Sequence, residues 1–242
     1  MPTIAFVSPK GGVGKTTSAF LLATAFARIC DVTIVDADPN HPIETWALGG
    51  RTPDRLTIVS DVDEETIIER IEDAASKTPI VVVDLEGTAS KTVIYAISQA
   101  DFVVIPTQGS QLDANEASRA IRVVLQSEKL TGRGKPYAVL LTRTSPLIRA
   151  RGLTHIQNGL IAAGIPVLET ELNERDAFKA VFAFRQTLDG LNSAEVPNLD
   201  KARANVEALA REILIKLQAQ LEAEQGGRER ETKAATAVAG AA

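Results

Sequence analysis

Two lysines, Lys10 and Lys15, enclose three glycines in the stretch "SPKGGVGKTTSAF" (residues 8–20), and an ordinary phosphate-binding loop needs only the second lysine. The stretch follows a short apolar run, "TIAFVS", and opens one with helical spacing, the context that separates a phosphate loop from a glycine-rich turn. Backbone N–H groups of Gly11, Gly12, Val13, Gly14 and Lys15 can then converge on phosphate oxygens, helped by the positive end of the helix. Lys15 would neutralise the outer phosphates, the Thr16 hydroxyl would hold Mg²⁺, and Thr17 continues the same helical turn. In the general pattern G-x-x-x-x-G-K-[ST] the first glycine would fall at Pro9, and Lys10 follows it. A second cation there could stabilise charge that develops on a polyphosphate during transfer.

Three carboxylates stand at the ends of other apolar runs. Asp36 and Asp38 lie two residues apart in "VDADPN" (35–40), and Asp84 ends the run in "VVVDLEGTAS" (81–90). Paired carboxylates at one strand end can serve different partners, one a metal ion and one an attacking water. An Asp-Pro turn accounts for the same residues structurally. His41 and His155 have no Cys or His neighbours at ligand spacing and read as ordinary polar residues. The single cysteine, Cys30, rules out an intramolecular disulfide or a multi-cysteine cluster within one chain. It reads as a small buried hydrophobe ending a helix.

The elements that must hold these residues follow from the pattern. β-branched runs recur at 3–8, 32–36, 56–60, 80–84, 102–106, 137–142 and 166–170, with helical spacing between them, as around Phe20 to Ala27 and from Asp113 to Leu130. Continuous apolar runs alternating with helices predict an α/β fold: a doubly wound, mostly parallel sheet with helices on both faces. Ligands in such sheets bind at the carboxyl ends of strands, where "SPKGG", "DADPN", "DLEG" and "PTQGS" all fall. With 242 residues, 45% of them hydrophobic, the chain can bury one full core. One domain is expected over 1–225, including a C-terminal helix at 199–225 whose apolar stripe runs from Leu199 to Leu221. Residues 226–242 lack apolar periodicity and are expected to be a disordered tail. No uninterrupted apolar run of membrane-spanning length and no leader pattern occurs, which predicts a cytoplasmic protein.

Charge is unevenly spread. The net charge is −5, yet from Lys129 to Leu168 there are six basic residues (Lys129, Arg133, Lys135, Arg143, Arg149 and Arg151) and no acidic one. Joined by Lys179 and Arg185, this stretch is a candidate duplex-binding surface that would contact phosphates without reading sequence. Sparse aromatic residues disfavour stacking on single strands.

"PKGGVGKTT" resembles the deviant phosphate loop of the ParA/MinD superfamily of ATPases, and the resemblance runs from Thr3 to about Asp189. It implies ATP and Mg²⁺ as cofactors and a nucleotide-sandwiched homodimer in which Lys10 reaches the partner's phosphates. It also implies that Asp36 lies near the water shell of the metal, Asp38 orients or deprotonates the attacking water, and Asp84 binds the metal through water. Pro106 and Asp113 would shape the pocket or dimer face; Glu86 stands where a small residue or proline is usual and is given no role.

In finer detail the chain is similar to the short ParF-like plasmid partition proteins, through "DADPNHPIETW", "SQLD" and "LLTR". Thr142 and Arg143 then occupy the place of an Asn-Arg pair for adenine, and "NERDAF" (173–178) resembles the later loop near the base. The same segment resembles a transfer-DNA accessory protein of the superfamily. The resemblance implies ATP-dependent, sequence-independent DNA binding and a cargo- or centromere-bound adaptor that stimulates a slow ATPase. Plasmid partition is the leading expectation, with DNA-transfer accessory ATPase and metabolic ATP-dependent ligase as alternatives. A membrane-targeting relative would need a bulky basic amphipathic C-terminus, whereas 199–225 carries four basic and five acidic residues without Phe or Trp.

Overall fold

Strands whose side chains are apolar on both sides need a cover on each face, and the chain supplies it. The computed structural model describes residues 1–242 except 88–89, 110, 146–150 and 240–242, and leaves the side chains of 111–114, 151 and 223–239 undescribed. In chain order the elements are β1 (Thr3–Phe6), α1 (Lys15–Phe26), β2 (Val32–Ala37), α2 (Pro42–Gly49), β3 (Leu56–Val59), α3 (Ile67–Lys77), β4 (Ile80–Leu85) and α4 (Lys91–Gln99). They continue with β5 (Phe102–Thr107), α5 (Gln111–Thr131), β6 (Tyr137–Thr144), α6 (Arg151–Ala162), β7 (Leu172–Asn173), α7 (Asp176–Ala183) and α8 (Leu199–Ala239). The sheet order is β3-β2-β4-β1-β5-β6-β7, and every pairing is parallel.

The period-two alternation of strands sorts the core into two layers. Ile4, Phe6, Val32, Ile34 and Val82 face α1, α2, α7 and α8. Ala5, Val35, Val81, Val83 and Val103 face α3, α4, α5 and α6. The α/β expectation therefore holds. Pro106 sits inside β5 without breaking it, because β1 pairs with β5 only as far as Val104 and asks no N–H of position 106.

Three expectations shift. The run at 166–170 touches the sheet only through a bridge from Val167 to Val139; the paired strand is β7, further along. Pro166 has no N–H to give, and the amides of Glu169 and Thr170 are taken by Glu212 of α8. The last helix, read over 199–225, runs from Leu199 to Ala239. It contains no proline, and Ala, Glu, Gln, Lys and Arg favour helix enough to carry Gly226 and Gly227, which cost about 1 kcal/mol each. α1 ends at Phe26, so Cys30 follows the helix; it is half-buried against the core, and burial pushes its thiol pKa up.

Candidate nucleotide site

Gly14 holds the residue before α1 at φ 95°, a left-handed conformation that glycine adopts without strain. That turn aims the first amides of α1 into the space above β1. Two distant side chains pin the loop from outside. The Gln108 side-chain amide donates to the Gly12 carbonyl at 3.0 Å, and the Thr142 hydroxyl donates to the Val13 carbonyl at 2.7 Å. Thr142 is 3% exposed and its hydroxyl also lies 3.3 Å from the Thr107 carbonyl. It thus ties the ends of β5 and β6 to the loop. Thr142 also lines the pocket beside the loop, where a contact to the base was expected of it, and its hydroxyl oxygen keeps acceptor capacity while its proton goes to the loop.

Lys15 is 7% exposed, and burial lowers its pKa while Asp84, Asp38 and Glu86, in that order, pull it back up. A cation held among three carboxylates stays available to a polyphosphate. The second strand-end loop closes over it: a Cβ built on Gly87 would lie 3.5 Å from Lys15 Nζ and 3.7 Å from the Gly11 nitrogen. Lys10 is half-buried at the loop's start.

Asp36 and Asp84 stand in register on β2 and β4, and both are 0% exposed. One oxygen of Asp36 caps α2, accepting from the Ile43 and Glu44 amides at 2.9 and 3.0 Å. Its other oxygen, Oδ1, and both oxygens of Asp84 are buried without a hydrogen-bond partner. Such orphans are costly in a protein interior and mark a place for an absent cation. Burial pushes the Asp84 carboxyl up to about 7, held back in part by the nearby Thr16 hydroxyl, which approaches the carboxylate without completing a well-aligned hydrogen bond to it. Burial likewise raises the Asp36 pKa. Among the described residues no group of three His, Cys, Asp or Glu side chains could enclose a metal. A few carboxylate oxygens and one threonine suit Mg²⁺, which keeps waters and shares phosphates. Asp38, at the rim, accepts through Oδ1 from the backbone and side-chain N–H groups of Asn40, both at 2.9 Å.

Beside Gly14, Thr17 and Ser18 opens a pocket of about 140 Å³ lined further by Thr142, Arg143, Leu172, Asn173, Glu174, Arg175, Phe178, Lys179 and Phe182. Arg143 reaches it through a bulge: the register with β7 jumps between Thr142 and Thr144, and Arg143 takes φ 53°. The Asn173 amide donates to the Thr144 hydroxyl at 2.9 Å and accepts from Arg175 at 3.2 Å. Arg143 was expected near the base from the sequence, as was the segment from Asn173; Gln108 and Gly87 lay in strand-end motifs without an assigned role.

The basic candidates do not gather on one face. Lys129, at the end of α5, and Arg133, just after it, are exposed on the side of α3 to α6. Lys135 lies next to them, but its ammonium donates to the carbonyls of Ser98 and Ala100 at 2.6 and 3.0 Å, closing the end of α4. It is removed from the candidate surface. Lys179 and Arg185 belong to α7 and the loop after it, on the opposite face of the sheet. Lys179 is 3.1 Å from Glu174 at the pocket, and Arg185 lies over Gly49, where a Cβ would fall 1.7 Å from its Nη1. The two sets therefore lie on opposite faces of the sheet. Arg149 and the side chains of Arg151 and Asp113 lie outside the described residues.

Among the described residues no helix is long and apolar enough to cross a membrane. Comparisons with known proteins show the family and the fold. The VirC1 protein family model matches residues 1–213. Protein ParA of Rhizobium radiobacter is 38% identical over 90% of this chain and 98% of its own length. Protein virC1 of Rhizobium rhizogenes is 32% identical over 75% of this chain and 80% of its own. In fold, the chain is similar to apo McdA from Cyanothece, with a TM-score of 0.68, 19% identity, and coverage of 86% of this chain and 99% of that one. A two-lysine loop, three convergent carboxylates and these matches lead to one conclusion: the chain belongs to the VirC1 family, within the ParA/MinD superfamily of ATPases.

Proposed function

We propose that this protein is a Mg²⁺-dependent ATPase that dimerises on ATP, binds duplex DNA without sequence preference and partitions or positions a cargo such as a plasmid. The observation that carries the reading is the meeting of Lys15, Thr16, Asp36, Asp38 and Asp84 at the ends of β1, β2 and β4, with three buried carboxylate oxygens unpartnered. The amides of 11–15 and the Lys15 ammonium hold the phosphates. Thr16, Asp36 and Asp84 hold the metal, in part through water; when bound, Mg²⁺ supplies charge that offsets the transferring phosphoryl group. Asp38 accepts a proton from, or orients, the attacking water, with Oδ2 available for it while Asn40 holds Oδ1.

Lys10 contributes from each protomer to the phosphates of the other, so ATP favours the dimer over the monomer and its loss reverses the preference. A cargo-bound adaptor protein accelerates the turnover. In this reading the ATP-bound dimer resides on the nucleoid in the cytoplasm. Arg133 and Lys129 are the better-supported phosphate contacts; Arg149 and Arg151 extend the same basic stretch in sequence. The match to the VirC1 family favours one second reading, an accessory ATPase for DNA transfer, which uses the same nucleotide switch. For the ligase alternative there is a likeness of fold alone, to cobyrinic acid a,c-diamide synthase from Mycobacterium smegmatis at 16% identity with a TM-score of 0.58.

The test is binding to a random-sequence duplex at stated salt, with ATP, with ADP, and with ATP for Lys10→Ala. Binding only with ATP, and its loss in Lys10→Ala, supports the reading. Equal binding in both nucleotides contradicts it.

A further inference from the structure

β7 forms one wall of the nucleotide pocket, yet it is two residues long and pairs with β6 across a bulge. Such a strand is weakly held from one side. On its other side no strand follows; α8 does. The Asn205 side-chain amide donates to the Glu171 carbonyl at 2.7 Å and accepts from the Asn173 amide at 3.1 Å. In an extended chain the C=O of one residue and the N–H two residues on point the same way, so one side-chain amide completes the ladder as a neighbouring strand would.

One more pair of bonds extends the brace. Glu212 accepts from the Glu169 and Thr170 amides, both at 2.8 Å. Seven residues of helix rise about 10.5 Å, and three extended residues from Thr170 to Asn173 span about 10 Å. The two helix positions therefore match the segment they hold. Val206, Leu209 and Ile213 bury between and beside them, which fixes α8 against the sheet. Across the strand, Glu174 donates its N–H to the Thr144 carbonyl at 2.8 Å, so residues from 169 to 174 are held alternately by α8 and β6. Asn173 and Arg175, joined at 3.2 Å, project from this doubly held segment into the pocket.

We infer that Asn205 and Glu212 are positioning residues for nucleotide binding: from α8 they set the wall that meets the base and ribose, without touching the phosphate loop. This rests on the nucleotide reading above. It separates two halves of the site, because tripolyphosphate needs only the loop, Lys15 and the metal.

The experiment measures Mg²⁺-dependent binding of a fluorescent ATP analogue, and its displacement by ATP and by inorganic tripolyphosphate, in the full chain. Wild type is compared with Asn205→Ala and with Glu212→Gln, which keeps one acceptor oxygen. Asn205→Ala is expected to weaken ATP about fivefold, the scale of one or two hydrogen bonds, with tripolyphosphate unchanged within about twofold. Glu212→Gln moves ATP in the same direction and by less. The inference is overturned if ATP and tripolyphosphate weaken together, or if neither variant changes ATP binding. Failure of the wild type to bind ATP would overturn the nucleotide reading itself, and the brace with it.

Discussion

Asp36 and Asp84 face each other in register across β2 and β4, wholly buried, one spending an oxygen on the start of α2 and the other with both oxygens unpartnered. Burial is the main reason that the Asp84 carboxyl moves from 3.8 to about 7; the Asp36 and Asp38 charges add to the rise, while Thr16 and Lys15 oppose it. The folded chain then holds a proton that the unfolded chain has released. Stability without nucleotide therefore falls as pH rises from about 4 to about 7. Asp84→Asn should raise the nucleotide-free melting temperature at pH 8, with a gain that shrinks at pH 6, and should abolish the stabilisation of the wild type by Mg²⁺ and ATP. Calorimetry at the two pH values, with and without Mg²⁺-ATP, checks both halves.

Thr142 and Val13 are 129 residues apart and 2.7 Å from each other. Thr142→Val keeps the shape and removes the donor, leaving a loop carbonyl unsatisfied at a cost of about 1–3 kcal/mol. ATP binding should weaken and the melting temperature fall, while Thr142→Ser restores both. Isothermal titration of the three proteins decides it.

Burial lowers the Lys15 pKa, and Asp84, Asp38 and Glu86 oppose that shift. Lys15→Ala removes the phosphate contact and leaves those carboxylates uncompensated. Nucleotide binding should drop below detection in a filter or fluorescence assay.

Asp38 sits at the rim, where Asn40 donates to its Oδ1. Asp38→Ala should bind ATP with near-normal affinity and hydrolyse it about 10²-fold or more slowly, the usual worth of a positioned acid or base. Single-turnover phosphate release measures it.

Lys129 and Arg133 are exposed, while neighbouring Lys135 closes a helix end. Lys129→Ala with Arg133→Ala should weaken duplex binding and lower the salt slope by about one per lost phosphate contact. Lys135→Ala should lower stability and leave the salt slope unchanged. Binding titrations over a salt series, with melting curves, separate them.

Most of this architecture was legible because it is local. Apolar runs gave β1 to β6, and "KGGVGKTT", Asp36, Asp38 and Asp84 fell at strand ends where the sheet brings them together. The rest is set by distant partners. Nothing in the sequence shows that the Thr142 hydroxyl also holds Val13, and β7 is displaced because Glu212 takes the amides of Glu169 and Thr170. Lys135 and Arg133 look alike in sequence; only the carbonyls of Ser98 and Ala100 distinguish them. No short pattern announces Asn205, whose meaning comes from a strand 32 residues away.

Mass in solution tests most directly whether Lys10 acts across an ATP-bound dimer. With Mg²⁺-ATP, Asp38→Ala should sediment at twice the 25.8 kDa of one chain, and the double variant Asp38→Ala with Lys10→Ala at the mass of one. A double variant that still dimerises on ATP would contradict the account.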